Sequence, residues 1–218
     1  MIQPPCNPNN PYDWCGSVHN YLVSYLFANY GTQWQQVQDL TQRQALIKAN
    51  TTSTALQFYG INVDLSCLDK VYGNTGLYSQ IDFSTYPAIF NNMVTNQGLP
   101  ASDAENIINF FNTLTALPTD TDIDVANALL AATEIENTFL SDSNNLSNQN
   151  VLGCFAVAKY SLYLVQTSLN NPPVVGMFKW WRALADAVGG CIGGALSGGA
   201  GILGGAAAGT AIFVACGG

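Results

Sequence analysis

Apolar residues recur at intervals of three and four along most of the first 170 residues, which is the spacing of one face of an α-helix. No stretch of useful length alternates apolar with polar residues, so the pattern predicts no strand. We therefore expect an all-α fold with a body of about six helices over residues 15–171. The principal helical segments are 15–29, 32–59, 86–96, 102–117, 126–139 and 151–169.

Several local signals mark where these helices begin, end or become buried. Gly31 predicts the end of the first helix, and Ser102 with Glu105 has the spacing of a capping box that begins a helix. Residues 151–169 are apolar on most faces, interrupted by Lys159. This composition predicts a buried central helix.

Prolines divide the chain into three predicted parts. Residues 1–14 carry four prolines and are expected to form an extended leader, because proline removes a backbone donor and restricts its predecessor. Pro172 and Pro173 end the helical body. The tail, residues 174–218, follows this boundary.

The tail has a repeat of small residues that is typical of a glycine zipper. On a helix, a small residue at every fourth position forms one groove into which another backbone fits. Ten glycines in this segment would cost a helix in water about 10 kcal/mol relative to alanine, so it must pack on lipid or protein. The predicted helix-packing row is Gly189, Gly193, Ser197, Gly201, Gly205 and Gly209.

The start of the tail carries aromatic and cationic residues of the kind found at membrane interfaces. These are Lys179, Trp180, Trp181 and Arg182. An uncharged run of 32 residues, 187–218, follows, and about 20 are enough to cross a bilayer. Insertion into a membrane and burial within the protein's own helical body are the two main readings of the tail, with a disordered or assembly tail as a third.

The spacing of Cys191 and Cys216 in the sequence limits the shape that the tail can have if the two are bonded. In one straight helix they would lie about 37 Å apart, whereas a disulfide needs Cα atoms within roughly 7 Å. A disulfide between them therefore requires a helical hairpin.

Composition and charge limit the partners and the compartment. A formal charge of −8 with only six Lys and Arg residues argues against nucleic acid as a partner. Six cysteines, an even number, suit an oxidising compartment and predict a secreted or cell-envelope protein. Residues 1–10 lack the cationic and apolar regions of a signal peptide.

Candidate chemistry is sparse, and we expect no enzyme, no cofactor and no small-molecule substrate. The only histidine, His19, lies one helical turn from Cys15, with Asp13 nearby, which is the minimum for a thiol and base pair. A packing role for these residues is the stronger reading. Asp120, Asp122 and Asp124 resemble the start of a calcium loop, but Val125 replaces the required glycine, so we predict no metal site.

One short motif resembles the opening of a group of uncharacterised bacterial proteins, common in Bacteroidetes, which begin with an NPYD, G, HN pattern and end in a glycine zipper. The matching residues are Asn9, Asn10, Pro11, Tyr12, Asp13, Gly16, His19 and Asn20. The resemblance covers about 20 residues at the front and implies a secreted or envelope protein of bacterial origin. It implies no activity, so the role of Asp13, Gly16, His19 and Asn20 is left open.

These observations lead to one hypothesis and two alternatives. The chain is expected to be an exported, non-enzymatic bacterial protein whose glycine-zipper tail packs closely on helices and enters membranes, as in a bacteriocin-like pore former. Its partners would then be membrane lipid or further copies of itself. A soluble structural or binding protein with the tail in its own core is the alternative, and an enzyme using Cys15 and His19 is a distant third.

Overall fold

The computed structural model describes residues 4–60, 62, 65, 85–117, 122–169 and 189–190. This part of the chain is all-helical and contains no strand, which confirms the predicted fold class. A short 3-10 helix at Ser143–Ser147 joins the last two α-helices of the described residues. The α-helices are α1 (Trp14–Gln36), α2 (Leu40–Tyr59), α3 (Tyr86–Gln97), α4 (Ala101–Thr115), α5 (Asp122–Leu140) and α6 (Gln149–Leu169).

Helix α6 is the centre of the fold. It packs against α1, α5 and α4, while α2 packs on α1 and α3 packs on α4. Neighbours on several sides leave residues 151–162 without a solvent face, and all of them are buried. This helix was predicted to be central and buried because residues 151–169 are apolar on most faces.

Aromatic rings from α3, α4, α5 and α6 form one part of the apolar core. Phe110 of α4 stacks on Phe155 of α6, with ring centroids 4.4 Å apart. Phe111 contacts Phe110 at 5.3 Å and Phe90 of α3 at 6.2 Å. Phe139 of α5 meets Phe155 edge-on at 5.6 Å. Burial of such rings gives the largest hydrophobic contribution per residue.

Helix α1 continues past Gly31, where the sequence predicted its end, and stops at Gln36. The reason is Trp34, which is fully buried and packs on Phe27 at 5.5 Å and Tyr30 at 6.2 Å. Burial of an indole outweighs the roughly 1 kcal/mol by which one glycine weakens a helix.

The predicted capping box at Ser102 and Glu105 is wrong. Helix α4 begins at Ala101 after Pro100, and no side chain caps its first turn. The buried acid there is Asp103, whose carboxylate accepts hydrogen bonds from Asn148 at 2.7 Å and Asn150 at 3.0 Å. A carboxylate in the first turn also suits the positive end of the helix dipole.

Most predictions about the tail concern residues outside the described ranges. This applies to Lys179, Trp180, Trp181, Arg182, Gly193, Ser197, Gly201, Gly205, Gly209, Cys191 and Cys216. Gly189 and Gly190 are described, and both are helical and buried. Within the described ranges, no helix combines the length and the apolar character needed to cross a membrane.

Candidate functional site in a buried polar cluster

The N-terminal segment before α1 packs its polar side chains inward. Asn7, Asn10 and Asp13 are buried, at 5%, 4% and 8% exposure, whereas Pro8 and Pro11 are exposed. We call residues 4–13 the N-terminal strap. An extended leader was expected over residues 1–14, but residues 8–9 and 11–13 of the strap form turns that lie against the helical body.

Backbone hydrogen bonds explain why every third residue of the strap faces inward. The amide of Asn10 donates to the carbonyl of Asn7 at 3.0 Å, and the amide of Asp13 donates to that of Asn10 at 3.1 Å. The amide of Gly16 then donates to the carbonyl of Asp13 at 3.1 Å. Bonds between residues three apart give about three residues per turn, so side chains three apart share one side.

A lysine from α6 lies at the centre of the cluster that the strap covers. Lys159 is fully buried, and its Nζ lies 2.6 Å from Oε2 of Glu136 on α5 and 2.9 Å from Oδ1 of Asp13. The hydroxyl of Tyr160 donates to Oδ2 of Asp13 at 3.0 Å. The lysine thereby joins the strap, α5 and α6 at one point.

Two strap asparagines donate the remaining hydrogen bonds to Glu136. Asn7 Nδ2 donates to Oε2 at 2.7 Å, and Asn10 Nδ2 donates to Oε1 at 2.6 Å. Asn7 Nδ2 also donates to Oδ1 of Asn137 at 3.0 Å, and Asn10 Nδ2 to the carbonyl of Leu152 at 3.1 Å. Both oxygens of this fully buried carboxylate are therefore satisfied by the strap.

The hydrogen-bond directions bear on the charge at the centre of the cluster. Glu136 meets only N–H donors, from Lys159, Asn7 and Asn10, whereas Asp13 meets the ammonium of Lys159 and the hydroxyl of Tyr160. A protonated Glu136 would direct its own hydrogen at a donor, so the geometry around it fits a carboxylate paired with an ammonium. Burial, and secondarily the charge of Asp13, raises the pKa of Tyr160, which keeps its phenol a donor.

The four motif residues whose role was left open lie together where α1 meets α6. A Cβ on Gly16 would lie 2.3 Å from Cδ2 of Tyr160, so only glycine allows this approach of the two helices. His19 is fully buried, and its Nε2 lies 3.1 Å from Oγ of Ser161. Asn20 Nδ2 donates to the carbonyl of Tyr160 at 2.7 Å. Together with Asp13, these residues fix α1 on α6.

Cys15 does not have the environment of a nucleophile. Its thiol is fully buried and free, and burial raises its pKa from 9.0 to about 12, to which the charge of nearby Asp13 adds. The thiol is therefore protonated at neutral pH, whereas nucleophilic attack requires a thiolate.

The remaining described cysteines divide into a free and a bonded one. Cys6 is exposed and free. Cys154 is buried and disulfide-bonded. The predicted pairing of Cys191 with Cys216 stays a prediction.

The described residues contain no group of three or more His, Cys, Asp or Glu side chains placed to hold a metal ion. In the buried cluster, the position between the carboxylates of Asp13 and Glu136 is filled by the ammonium of Lys159. A metal cation there would have to replace that ammonium.

Sequence reasoning missed the residues at the centre of this cluster. Asn7 and Asn10 have no local pattern that indicates burial, because their shared partner Glu136 lies more than 120 residues away in sequence. One signal was present, namely Lys159 inside a helix that is apolar on most faces. A lysine at such a position must be paired with a carboxylate.

Comparison of the chain with protein-family models, with curated proteins and with solved structures found no match.

Proposed function

We propose that this chain is an exported, non-enzymatic bacterial protein in which a rigid helical body carries a glycine-zipper tail that packs closely on other helices. The observation that supports a non-enzymatic role is the use of the candidate reactive groups in packing. Cys15 and His19 are both fully buried, and Asp13 bonds Lys159 and Tyr160 through its two oxygens. Each group holds helices together.

Substitution of Cys15 tests this non-enzymatic role. We expect Cys15→Ala to leave the biological effect of the protein unchanged, because the thiol contributes packing and no chemistry. His19→Gln, which keeps a hydrogen-bonding side chain, should lower stability without abolishing that effect. Loss of the effect in folded Cys15→Ala protein, judged by an unchanged helical circular dichroism spectrum, would restore the enzyme hypothesis.

The tail is proposed to act through close backbone contact. Gly189 and Gly190 support this, because the two described tail residues are helical and buried, although glycine is among the poorest helix formers in water. A buried environment compensates for that weakness. Both burial against the chain's own helices and insertion in lipid depend on such contact.

Dye release from anionic phospholipid vesicles distinguishes the two uses of the tail. In the membrane form of the proposal, the full chain releases dye, and Gly201→Leu with Gly205→Leu reduces release about tenfold by filling the groove. Ala207→Leu is the matched control, because residue 207 lies off the glycine row. A monomer that neither binds vesicles nor releases dye would support the alternative, a soluble structural or binding protein with the tail in its own core.

A further inference from the structure

Helices α1 and α2 carry most of the large apolar side chains that the described residues expose to solvent. Seven such side chains are exposed, and five of them lie on these two helices. Tyr21 is central to this group, because Trp14 lies two helical turns before it on α1 and Phe58 of α2 contacts it. The five residues, which we call the aromatic face, are Trp14, Tyr21, Leu56, Phe58 and Tyr59.

The rings of the aromatic face form one continuous patch across the two helices. The ring centroid of Tyr21 lies 6.4 Å from those of Phe58 and Tyr59. Tyr25, beside them, stacks on Tyr21 and lies 4.8 Å from Phe58. Leu56 lies one turn before Tyr59 and shares its side of α2. Scattered exposed apolar residues are ordinary, whereas a continuous patch marks an interaction site.

The size of the aromatic face fits a weak contact between two proteins. Large apolar side chains bury roughly 150–250 Å² each when fully enclosed, and those of this face are 36–53% exposed, so together they present about 400–500 Å². With the small residues between the rings included, two such faces in contact bury about 1,000 Å², the size at which specific interfaces begin.

The charge distribution favours a second copy of this chain as the partner. The chain carries a formal charge of −8, yet α1 contains no Asp, Glu, Lys or Arg, and α2 contains none after Lys48. A basic protein would need carboxylates on this face, and an anionic membrane would need Lys or Arg. Two copies of like charge, in contrast, approach most easily through a region where neither carries charge.

The exposed side of α1 also complements itself in shape, because large and small side chains alternate along it. Trp14, Ser17, Tyr21 and Ser24 follow one another at intervals of three and four residues, and all four are exposed. When two copies of α1 lie antiparallel about a two-fold axis, rings of one copy fit against serines of the other. A register that pairs Trp14 with Ser24 also pairs Tyr21 with Ser17.

We propose that the aromatic face is a self-association surface, through which two copies of the chain form a weak two-fold dimer with their α1 helices antiparallel. The dimer uses described residues alone and does not depend on the role of the tail. Because its contact is apolar, the dimer strengthens when salt screens the repulsion between two chains of charge −8.

Sedimentation of the full chain over a range of about 1–500 µM at neutral pH tests the dimer. We expect the mass of a monomer at the lowest concentration and a mass approaching twice that value at the highest. Raising the salt concentration from about 0.05 M to about 0.5 M should lower the dissociation constant severalfold. A monomer at every concentration, or a dimer that salt weakens, would overturn the proposal.

A charge placed at a small exposed position of α1 tests whether this face forms the contact. Ser24→Glu puts a carboxylate against a ring of the other copy, and we expect it to raise the dissociation constant at least about tenfold. Because Ser24 is exposed, the variant should keep the helical circular dichroism spectrum of the wild-type protein. Thr113→Glu makes the same charge change at an exposed position of α4 and should alter the constant less than about twofold.

Two further outcomes would overturn the proposal by assigning the contact elsewhere. A dimer that persists in Ser24→Glu but is lost in Gly201→Leu with Gly205→Leu would assign self-association to the tail. A wild-type monomer that binds phosphatidylcholine vesicles, with binding lost in Ser24→Glu, would assign the aromatic face to lipid.

Discussion

One helical turn separates two different kinds of contact between α5 and α6. Phe139 meets Phe155 through their rings, 5.6 Å apart, and next to them Glu136 meets Lys159 at 2.6 Å. The ring contact needs only apolar groups of suitable size, which tolerate substitution. The ionic contact requires every donor in place, because a buried charge without its partner is costly. The body is therefore most sensitive where it is polar.

The largest expected effect is on the ionic side. Lys159→Met keeps the length of the side chain but leaves Asp13 and Glu136 as buried carboxylates without their cation. We expect a loss of about 3–5 kcal/mol in the free energy of unfolding, measured by urea denaturation. A loss below about 1 kcal/mol would mean that the ammonium is not essential to the cluster.

The contact between α1 and α6 should be the next most sensitive. In Gly16→Ala the added Cβ meets Tyr160 at 2.3 Å and the carbonyl of Ala156 at 2.6 Å, so we expect a loss of about 1–3 kcal/mol. Gly31→Ala is the matched control on the same helix, because its nearest neighbour is at 3.6 Å. Alanine there should stabilise the protein by up to about 1 kcal/mol. Equal effects of the two substitutions would contradict the close approach.

The apolar side should tolerate a conservative change. Met93 of α3 is fully buried in the hydrophobic core, and Met93→Leu keeps nearly the same volume. We expect it to cost less than about 1.5 kcal/mol in thermal or urea unfolding. A larger loss would show that the apolar core is as exacting as the ionic cluster.

The smallest expected effect on the free energy of unfolding concerns Cys15, and it appears only in alkali. Burial raises the pKa of this thiol from 9.0 to about 12, so the folded state retains a proton that the unfolded state loses. Its stabilising contribution is complete below about pH 9 and is lost as pH rises toward 12. Cys15→Ala should weaken the fall in unfolding free energy over this range. At pH 8, alkylation should label exposed Cys6 well before Cys15.

The apolar helices were predictable because their signal is local. Ile107, Phe110, Phe111 and Leu114 recur at helical spacing, and all four are buried on one face of α4. Helix ends were less predictable, since the burial of Trp34 carries α1 beyond Gly31. Tertiary contact overrides a local stop signal there.

The burial of the strap could not be predicted, because its sequence pattern is typical of an exposed segment. Asn7, Asn10 and Asp13 recur at every third residue among prolines, and polar residues among prolines indicate an exposed leader. Their burial depends on Glu136 and Lys159, which only the fold brings to them. Lys159 alone indicated that a buried ion pair was needed, without indicating its partners.

A double-mutant cycle between Asp13→Asn and Lys159→Met tests most directly whether the strap is held by charge on α6. The double variant leaves Glu136 with its two asparagine donors, so it avoids the second uncompensated carboxylate of Lys159→Met. We predict that the double variant loses about 1–3 kcal/mol less than the sum of the two single losses, measured by urea denaturation. Losses that add to within about 0.5 kcal/mol would contradict an energetic link between the strap and α6.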